Sequence, residues 1–346
     1  MSRAEVTAAL LAAVLLGGCA ASEPPTEPFE PVTRHWVRPA LETPPVGSRE
    51  DAADDPAIWV DPENPGRSLV LGTDKSAGLH VYDLNGRQLQ FVPAGRVNNV
   101  DVRVRPWGLA DVSVAVASHR EPSELVVFTL DHASRTVSEA RRIAVDLEEP
   151  YGVCLYQDAD AQPWVFLNAK DGSYVQYRLG RDYGITEVRR FATETQPEGC
   201  VADDATGTLY VGEEMRGIWR ISAAPDGGTR LEPFADVADG HLTADVEGLA
   251  LYVRNGARYL IASSQGDHSF SVYDADSGEW ITSFHIGRSP DVDEVSETDG
   301  LEVTAVRLPG YPQGLLVVQD GYNAKPRANQ NFKLVSWRDV APLLKR

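Results

Sequence analysis

The sequence predicts an all-β chain folded as a six-bladed β-propeller, and three observations carry that prediction. Short runs rich in Val, Leu, Ile and Tyr are bounded by Gly, Asp, Asn and Pro, with no convincing amphipathic helix of ordinary length beside them. The 29 Gly and 23 Pro residues are spread along the whole chain, as many short elements joined by turns require. A unit of roughly fifty residues also recurs six times, which is the signature of a repeat fold.

Each unit opens with a similar strand: Asp54–Trp59, Asn98–Val102, Pro150–Leu155, Pro197–Val201, Val246–Leu251 and Thr298–Val303. A second apolar strand follows at Leu69–Gly72, Val114–Ala117, Trp164–Leu167, Leu209–Gly212, Tyr259–Ala262 and Leu315–Val318. Third strands are equally plain at Gly78–Tyr82, Glu124–Phe128, Tyr174–Tyr177, Gly217–Arg220, Phe270–Tyr273 and Phe332–Trp337. Fourth strands are weaker, with Leu89–Val92 and Trp280–Phe284 the best of them. Four-stranded antiparallel units repeated six times describe a propeller and leave no room for two domains. A parallel β-helix is the competing repeat fold, but its coils are far shorter. The chain ends after the third strand of its last unit, so a strand at His35–Glu42 is expected to complete that blade and close the ring.

Residues 1–18 read as an export signal. Val6–Leu16 is an apolar run too short to span a bilayer comfortably, and it ends in Leu16-Gly17-Gly18-Cys19, which resembles the lipobox of bacterial lipoproteins. Lipidation at Cys19 would hold the protein on a membrane of the bacterial cell envelope, exported and lipid-anchored; an ordinary signal cut near Ala20-Ala21, leaving it secreted, is the alternative. Residues 19–33 read as a Pro-rich tether, and residues 34–346 as the propeller.

The 51 Asp and Glu against 32 Lys and Arg give a formal charge of −19, which argues against nucleic acid as a partner and favours metal ions or cations. A propeller gathers equivalent residues of its blades around one channel mouth. At the position before the shared Gly or Pro of the first strand the blades give Asp55, Asn99, Tyr151, Glu198, Glu247 and Asp299. At the end of the second strand they give Asp74-Lys75, His119-Arg120, Ala169-Lys170, Glu213-Glu214, Ser264-Gln265 and Gln319-Asp320. Any one of these, taken alone, is more simply a turn-capping or solvated residue. Together, carboxylates converging on one mouth repel one another unless something positive lies between them. Oxygen donors without a His or Cys cluster favour Ca²⁺, several ions of it, over zinc or copper, and Lys75, Arg120 and Lys170 suit phosphate.

With these residues in place, the chain resembles the β-propeller phytases, calcium-dependent hydrolases of myo-inositol hexakisphosphate (phytate). The resemblance runs from about Glu42 to the C-terminus. It rests on Asp51-Ala52-Ala53-Asp54-Asp55-Pro56-Ala57-Ile58-Trp59, Asn98-Asn99-Val100-Asp101, Asp245-Val246-Glu247-Gly248-Leu249, Ser263-Ser264-Gln265-Gly266 and Ala328-Asn329-Gln330-Asn331-Phe332. It implies that Asp55, Glu198, Glu214, Glu247 and Asp299, with Glu42 from the N-terminal segment, hold catalytic calcium, and Asp245 joins them as a metal candidate. Lys75, Arg120, Tyr151 and Lys170 would bind substrate phosphates and, with Glu198, form the catalytic set; Asp171 and Gln265 would lie against substrate. Asp293 and Asn329, with Asn99 and Asp101, match positions around stabilising calcium. Asp171 stands where the family pattern has Glu, and Met215 where it has a polar residue. The implied chemistry is attack of a metal-activated water on phosphorus, without a covalent intermediate, on a monomer that takes phytate as its calcium complex.

Two other classes share parts of this pattern. A six-bladed calcium hydrolase of the lactonase type has the acidic mouth but no use for three rim cations, and a non-catalytic surface-binding propeller has no need of either. His119 reads as a spectator or phosphate contact in preference to a general acid. Cys154 lies two residues past its shared glycine and Cys200 one past, so period-two alternation points them to opposite faces and predicts no disulfide. Trp59, Trp164, Trp219 and Trp337 recur on strands and read as packing between blades.

Overall fold

The structure is a computed structural model that describes residues 35–324 and 327–344. Cys19, the signal and the whole of the tether lie outside the described residues. Six sheets, antiparallel but for one added strand, form the six blades. Their first strands are Ala53–Trp59, Val97–Val104, Pro150–Gln157, Pro197–Asp203, Val246–Arg254 and Leu301–Thr304. Each packs against the first strand of the next blade, and that of blade 6 packs against that of blade 1, so the ring is closed. The fold is the six-bladed propeller the repeat predicts.

Second strands such as Leu69–Asp74 are buried throughout, with a blade on either side, which is why they read as continuous apolar runs. Fourth strands occur in all of the first five blades, but Thr136–Ala144 and Ile185–Ala192 are mostly exposed or half-buried and carry Arg and Glu, so the apolar signal fades there. Apolar side chains fill the gaps between blades: Trp59 of blade 1 is fully buried and donates Nε1–H to Ser113 Oγ of blade 2 at 2.8 Å. Trp337 stacks on Tyr252 of blade 5 with ring centroids 4.2 Å apart. Full burial of one such side chain is worth about 1.5–3 kcal/mol.

Closure is more divided than the sequence suggests. Leu41–Glu42 pairs antiparallel with Asn331–Ser336 and supplies the fourth strand of blade 6. Trp36–Val37 instead adds a fifth strand to blade 5, parallel to Trp280–Ile286. The N-terminal stretch therefore bridges two blades where one strand was expected.

The cysteine expectation is wrong. Cys154 and Cys200 form a disulfide, with Cα atoms 5.8 Å apart. Blades 3 and 4 align as expected; the error lay in how alternation was applied. Neighbouring blades pack face to face, so two residues that meet across the gap must point to opposite faces of equivalent sheets. Opposite parity in blades 3 and 4 is what brings the two sulfurs together.

Candidate functional site

A bulge in the first strand builds the mouth. Two residues of that strand oppose a single residue of the second strand between Ala53 and Pro56, Val97 and Val100, Pro150 and Val153, Pro197 and Cys200, and Val246 and Leu249. Such bulges re-aim side chains. The first bulge residues are Asp54, Asn98, Tyr151, Glu198 and Glu247, with Asp299 as their counterpart in blade 6. The second are Asp55, Asn99, Gly152, Gly199, Gly248 and, in blade 6, Gly300. At Gly152 a Cβ would sit 1.9 Å from the Glu198 carbonyl oxygen, so the inner wall leaves no room for a side chain there.

This register corrects the sequence alignment by one residue in blades 1 and 2. Pro56 is equivalent to Val153, not to Gly152, and Asp54 takes the rim position given to Asp55. Asp55 lies deeper, where its Oδ2 accepts from Val100 N–H at 3.0 Å and its carboxylate fills the space beside Gly300. Burial raises its pKa well above the carboxylate range. Asn99 lines the same inner channel. Asp101 is saturated by Arg103 at 2.8 Å and Leu155 N–H at 2.7 Å, which satisfies it without a metal. In blade 6 the counterpart of Lys75 is Gly321, and Asp320 pairs inside the sheet.

A cavity of about 760 Å³ opens at the mouth, lined by Lys75, Tyr151, Glu198, Glu214, Asp245, Glu247, Gln265, Asp299 and Asn329 among others. Glu198, Glu214 and Glu247 are buried and each offers an oxygen within 4.8 Å of the other two. Burial raises the Glu214 carboxyl to about 7, and burial with the neighbouring Glu198 raises Glu247. Oε2 of Glu247 is buried with no hydrogen-bond donor among the described residues. Three like charges, an unpartnered carboxylate oxygen and an all-oxygen donor set fit a hard divalent cation such as calcium.

A polar circuit links this trio to the opposite wall. Asn98 Nδ2 donates to Glu198 Oε1 at 2.9 Å and to Asp54 Oδ2 at 3.0 Å, joining blades 4 and 1 through blade 2. Lys75 Nζ lies 2.7 Å from Asp51, 3.0 Å from Asp54 and 3.2 Å from Asp299. Gln265 then donates to Asp299 at 2.5 Å, and Gln196 to Glu214 at 2.5 Å, each glutamine holding one carboxylate in orientation. Burial raises Asp299 to about 7, although Lys75 opposes the shift.

The other two rim cations stand over one aromatic ring. Lys170 Nζ is 4.6 Å and the Arg120 guanidinium carbon 5.5 Å from the centre of Tyr151. Arg120 also reaches Glu149 at 3.4 Å. The sequence-predicted residues Lys75, Tyr151, Glu198, Glu214, Asp245, Glu247, Gln265, Asp299 and Asn329 thus share one cavity, with Arg120 and Lys170 against Tyr151.

Others are not brought there. Glu42 and Asp293 bind the ammonium of Lys333 at 2.5 and 2.7 Å, away from the trio. Asp171 accepts from Ser173 N–H in its own turn and lines a separate surface depression with Arg190. His119 is buried, with Nδ1 facing Pro122 O at 2.9 Å and Nε2 accepting from Arg96 N–H at 3.1 Å, so both ring nitrogens are taken up by backbone. Sequence reasoning missed Asp51, Asp54, Asn98 and Gln196. The doublets Asp54-Asp55 and Asn98-Asn99, where four blades have a residue followed by Gly, were the available sign of the bulge.

Comparison with known proteins bears on this arrangement. A family model described as Phytase matches residues 4–346. The chain is 38% identical over 318 residues to 3-phytase of Bacillus subtilis (strain 168), covering 87% of this chain and 83% of that protein. Among solved structures it is similar to a functionally unknown protein from Desulfotomaculum acetoxidans DSM 771, with TM-score 0.48, 13% identity, and 66% and 70% of the two chains covered. It is also similar to the Cps50 (Swd1) β-propeller domain of Myceliophteria thermophila, with TM-score 0.49, 12% identity, and 82% and 83% covered. At those scores the two structures add nothing to the fold read from the sheets.

Proposed function

The chain belongs to the phytase family and is a phytase, and on that premise we propose that it hydrolyses phytate to lower inositol phosphates with calcium held at the propeller mouth. The observation that carries the reading is the convergence of Glu198, Glu214 and Glu247 on one side of a cavity that has Lys170 and Arg120 on Tyr151 at its edge. Carboxylates for a cation and cations for phosphate, side by side, suit a substrate that is itself a polyanion.

Glu198, Glu214 and Glu247 would hold the calcium, with Asp245 and Asp299 as further oxygen donors from the same cavity. Calcium, when bound there, offsets phosphate charge and lowers the pKa of nearby water. The rest falls to the side chains. Arg120 and Lys170 donate to the equatorial oxygens of the reacting phosphoryl group and stabilise their charge as the transition state forms. Arg120 exchanges its partly exposed Glu149 partner for phosphate at little cost, since such pairs are worth about 0–1 kcal/mol. Lys75, tied to Asp51, Asp54 and Asp299, fixes the far wall of the cavity and presents its charge to a second phosphate. Gln196 and Gln265 keep two carboxylates from turning away.

The decisive measurement is phosphate release from phytate with and without chelator, beside p-nitrophenyl phosphate as a simple ester. Release that a chelator abolishes and calcium restores is expected; preference for the simple ester would sink the substrate assignment. We also propose export and lipid anchoring at Cys19 of a monomeric enzyme. The Leu16–Cys19 motif supports the anchor, and the Cys154–Cys200 disulfide suits an oxidising compartment. Incorporation of labelled palmitate that C19S abolishes is the expected result.

A further inference from the structure

We propose that a ring of buried polar side chains on the second strands positions the mouth, and that Asn168 is the member that sets Glu198 in the carboxylate trio. The inference rests on reading that trio as a calcium site and assigns a task to residues outside it.

The ring follows from the bulges. One residue of each second strand stands opposite the two bulge residues: Thr73, Ser118, Asn168, Gly212 and Ser263 in blades 1 to 5. Gln319, next after the Leu301–Val318 pair, is the counterpart in blade 6. All but the glycine are polar, and all of those are fully buried. A bulge interrupts the ladder, and a buried backbone group left without a strand partner must find a side chain. Asp55 N–H donates to Thr73 Oγ1 at 2.9 Å, Asn99 N–H to Ser118 Oγ at 3.1 Å and Gly152 N–H to Asn168 Oδ1 at 2.7 Å. In blade 6, Asp299 N–H donates to Gln319 Oε1 at 2.9 Å.

That need accounts for only half of what these side chains do. Four of them also reach into the next blade. Ser118 Oγ donates to Tyr151 O, and Asn168 Nδ2 to Glu198 O at 2.8 Å. Ser263 Oγ donates to Thr298 O at 2.7 Å, and Gln319 Nε2 to Ala53 O at 3.2 Å. The accepting carbonyl belongs to the mouth residue itself, or to the residue just before Asp299 or Asp54. Each of these blades therefore fixes the backbone from which its neighbour's mouth side chain projects.

Asn168 bears the most. Its Nδ2 also donates to the Tyr174 hydroxyl at 2.8 Å, so the amide cannot turn without losing bonds on three sides. Blade 4 has Gly212 at this position and offers Glu247 no side chain, so Glu198 is the member of the trio that is held in this way. The Cys154–Cys200 disulfide already ties the same two first strands together. Asn168 is thus not needed to attach blade 4 to blade 3; it adds the position of one carbonyl. A ligand set works only when each member is held to within about 0.5 Å.

The test compares N168A with S113A, which removes a buried hydroxyl bonded to Trp59 at the end of its strand away from the mouth. The readouts are calcium binding by calorimetry, phytate kinetics over a range of calcium concentrations, and thermal melting. Both variants melt below wild type. Only N168A binds calcium more weakly, by about tenfold if about a tenth of the molecules hold the trio in place, and saturating calcium returns its kcat/KM to within about twofold of wild type. Calcium affinity in N168A within about twofold of wild type overturns the proposal, as does an equal loss in S113A.

A measurement on the unaltered chain does not depend on any variant folding. In the ¹H–¹⁵N NMR spectrum the Asn168 side-chain amide should shift as calcium is added, with the midpoint of the calorimetric titration, because it holds the carbonyl of a residue whose carboxylate takes the ion. An Asn168 amide indifferent to calcium overturns the proposal. A wild type that binds no calcium sinks the functional reading and this inference with it, whereas binding that N168A leaves intact sinks the inference alone.

Discussion

Of the clusters of three carboxylates in this propeller, the one around Lys333 and the one at the mouth are neutralised by different means. Glu42, Asp293 and Asp320 surround the fully buried ammonium of Lys333, at 2.5, 2.7 and 3.0 Å. Burial works to raise Asp293, yet Lys333 and Ala324 N–H hold it below the usual carboxylate range; Asp320, buried more deeply, remains raised. Glu198, Glu214 and Glu247 at the mouth have no ammonium paired with them among the described residues, and burial raises Glu214 and Glu247. The same number of acids is thus a structural brace in one place and a docking site for an exchangeable cation in the other. What separates them is whether the neutralising charge belongs to the chain.

The largest effect should come from removing the tethered charge. K333M leaves buried Asp293 and Asp320 and half-buried Glu42 without their ammonium, and loss of one partner from a buried ion pair costs about 3–5 kcal/mol. Denaturant unfolding in chelator measures it. A loss below about 1 kcal/mol would mean that Lys333 is not what holds this cluster together. Repeating the measurement with calcium sharpens the contrast, because the family resemblance assigns Asp293 and Asn329 to stabilising calcium. If calcium shares the cluster, it should recover part of the loss.

At the mouth the corresponding change has the opposite sign for stability. E247Q removes a buried carboxylate that no lysine pairs with among the described residues, so stability in chelator should rise by about 1 kcal/mol, while phytate kcat/KM falls about a hundredfold. Lower stability in E247Q would erase the distinction between the two clusters. Next in size is the bulge pair. D54N weakens the hold on Lys75 and should lower phytate kcat/KM about tenfold, whereas D55N keeps an acceptor for Val100 N–H away from Lys75 and should lower kcat/KM no more than about twofold. Equal kinetic losses would show that the one-residue register shift does not matter to catalysis.

That shift marks where the sequence stopped being readable. Blade number and the first three strands were legible because Leu69–Asp74 and its counterparts are buried on both faces and must be apolar. Glu198, Glu247 and Asp299 were legible because each precedes a glycine that the crowded inner wall requires. Asp54 and Asn98 were not, since their bulge partners are Asp55 and Asn99, and Pro56 imitated the missing glycine. Glu42 was read as a mouth residue because a resemblance transfers residue types, not the lysine opposite in the register, and Glu42 pairs with Lys333 across the strands that close the ring. The disulfide was missed because alternation was judged within one sheet when the contact lies between two.

The smallest expected effect is on pH dependence, and it separates the clusters without any mutation. Glu214 and Asp299 have folded values of about 7, above the unfolded carboxylate value near 4. A raised carboxyl binds its proton better folded than unfolded, so its stabilising contribution is complete below about pH 4 and lost as pH rises through about 7. In chelator, melting temperature should therefore fall between pH 5 and 7, by about 2 °C if the net effect is about 1 kcal/mol. Calcium needs the ionised forms, so its stabilising increment should grow over the same interval and level off above it. Asp293, held low by Lys333, supplies the opposite behaviour: its contribution is lost only as pH falls below the usual carboxylate range. A calcium increment that is flat from pH 5 to 8 would mean that the cation does not compete with protons at the mouth. The two clusters would then differ in partner but not in kind.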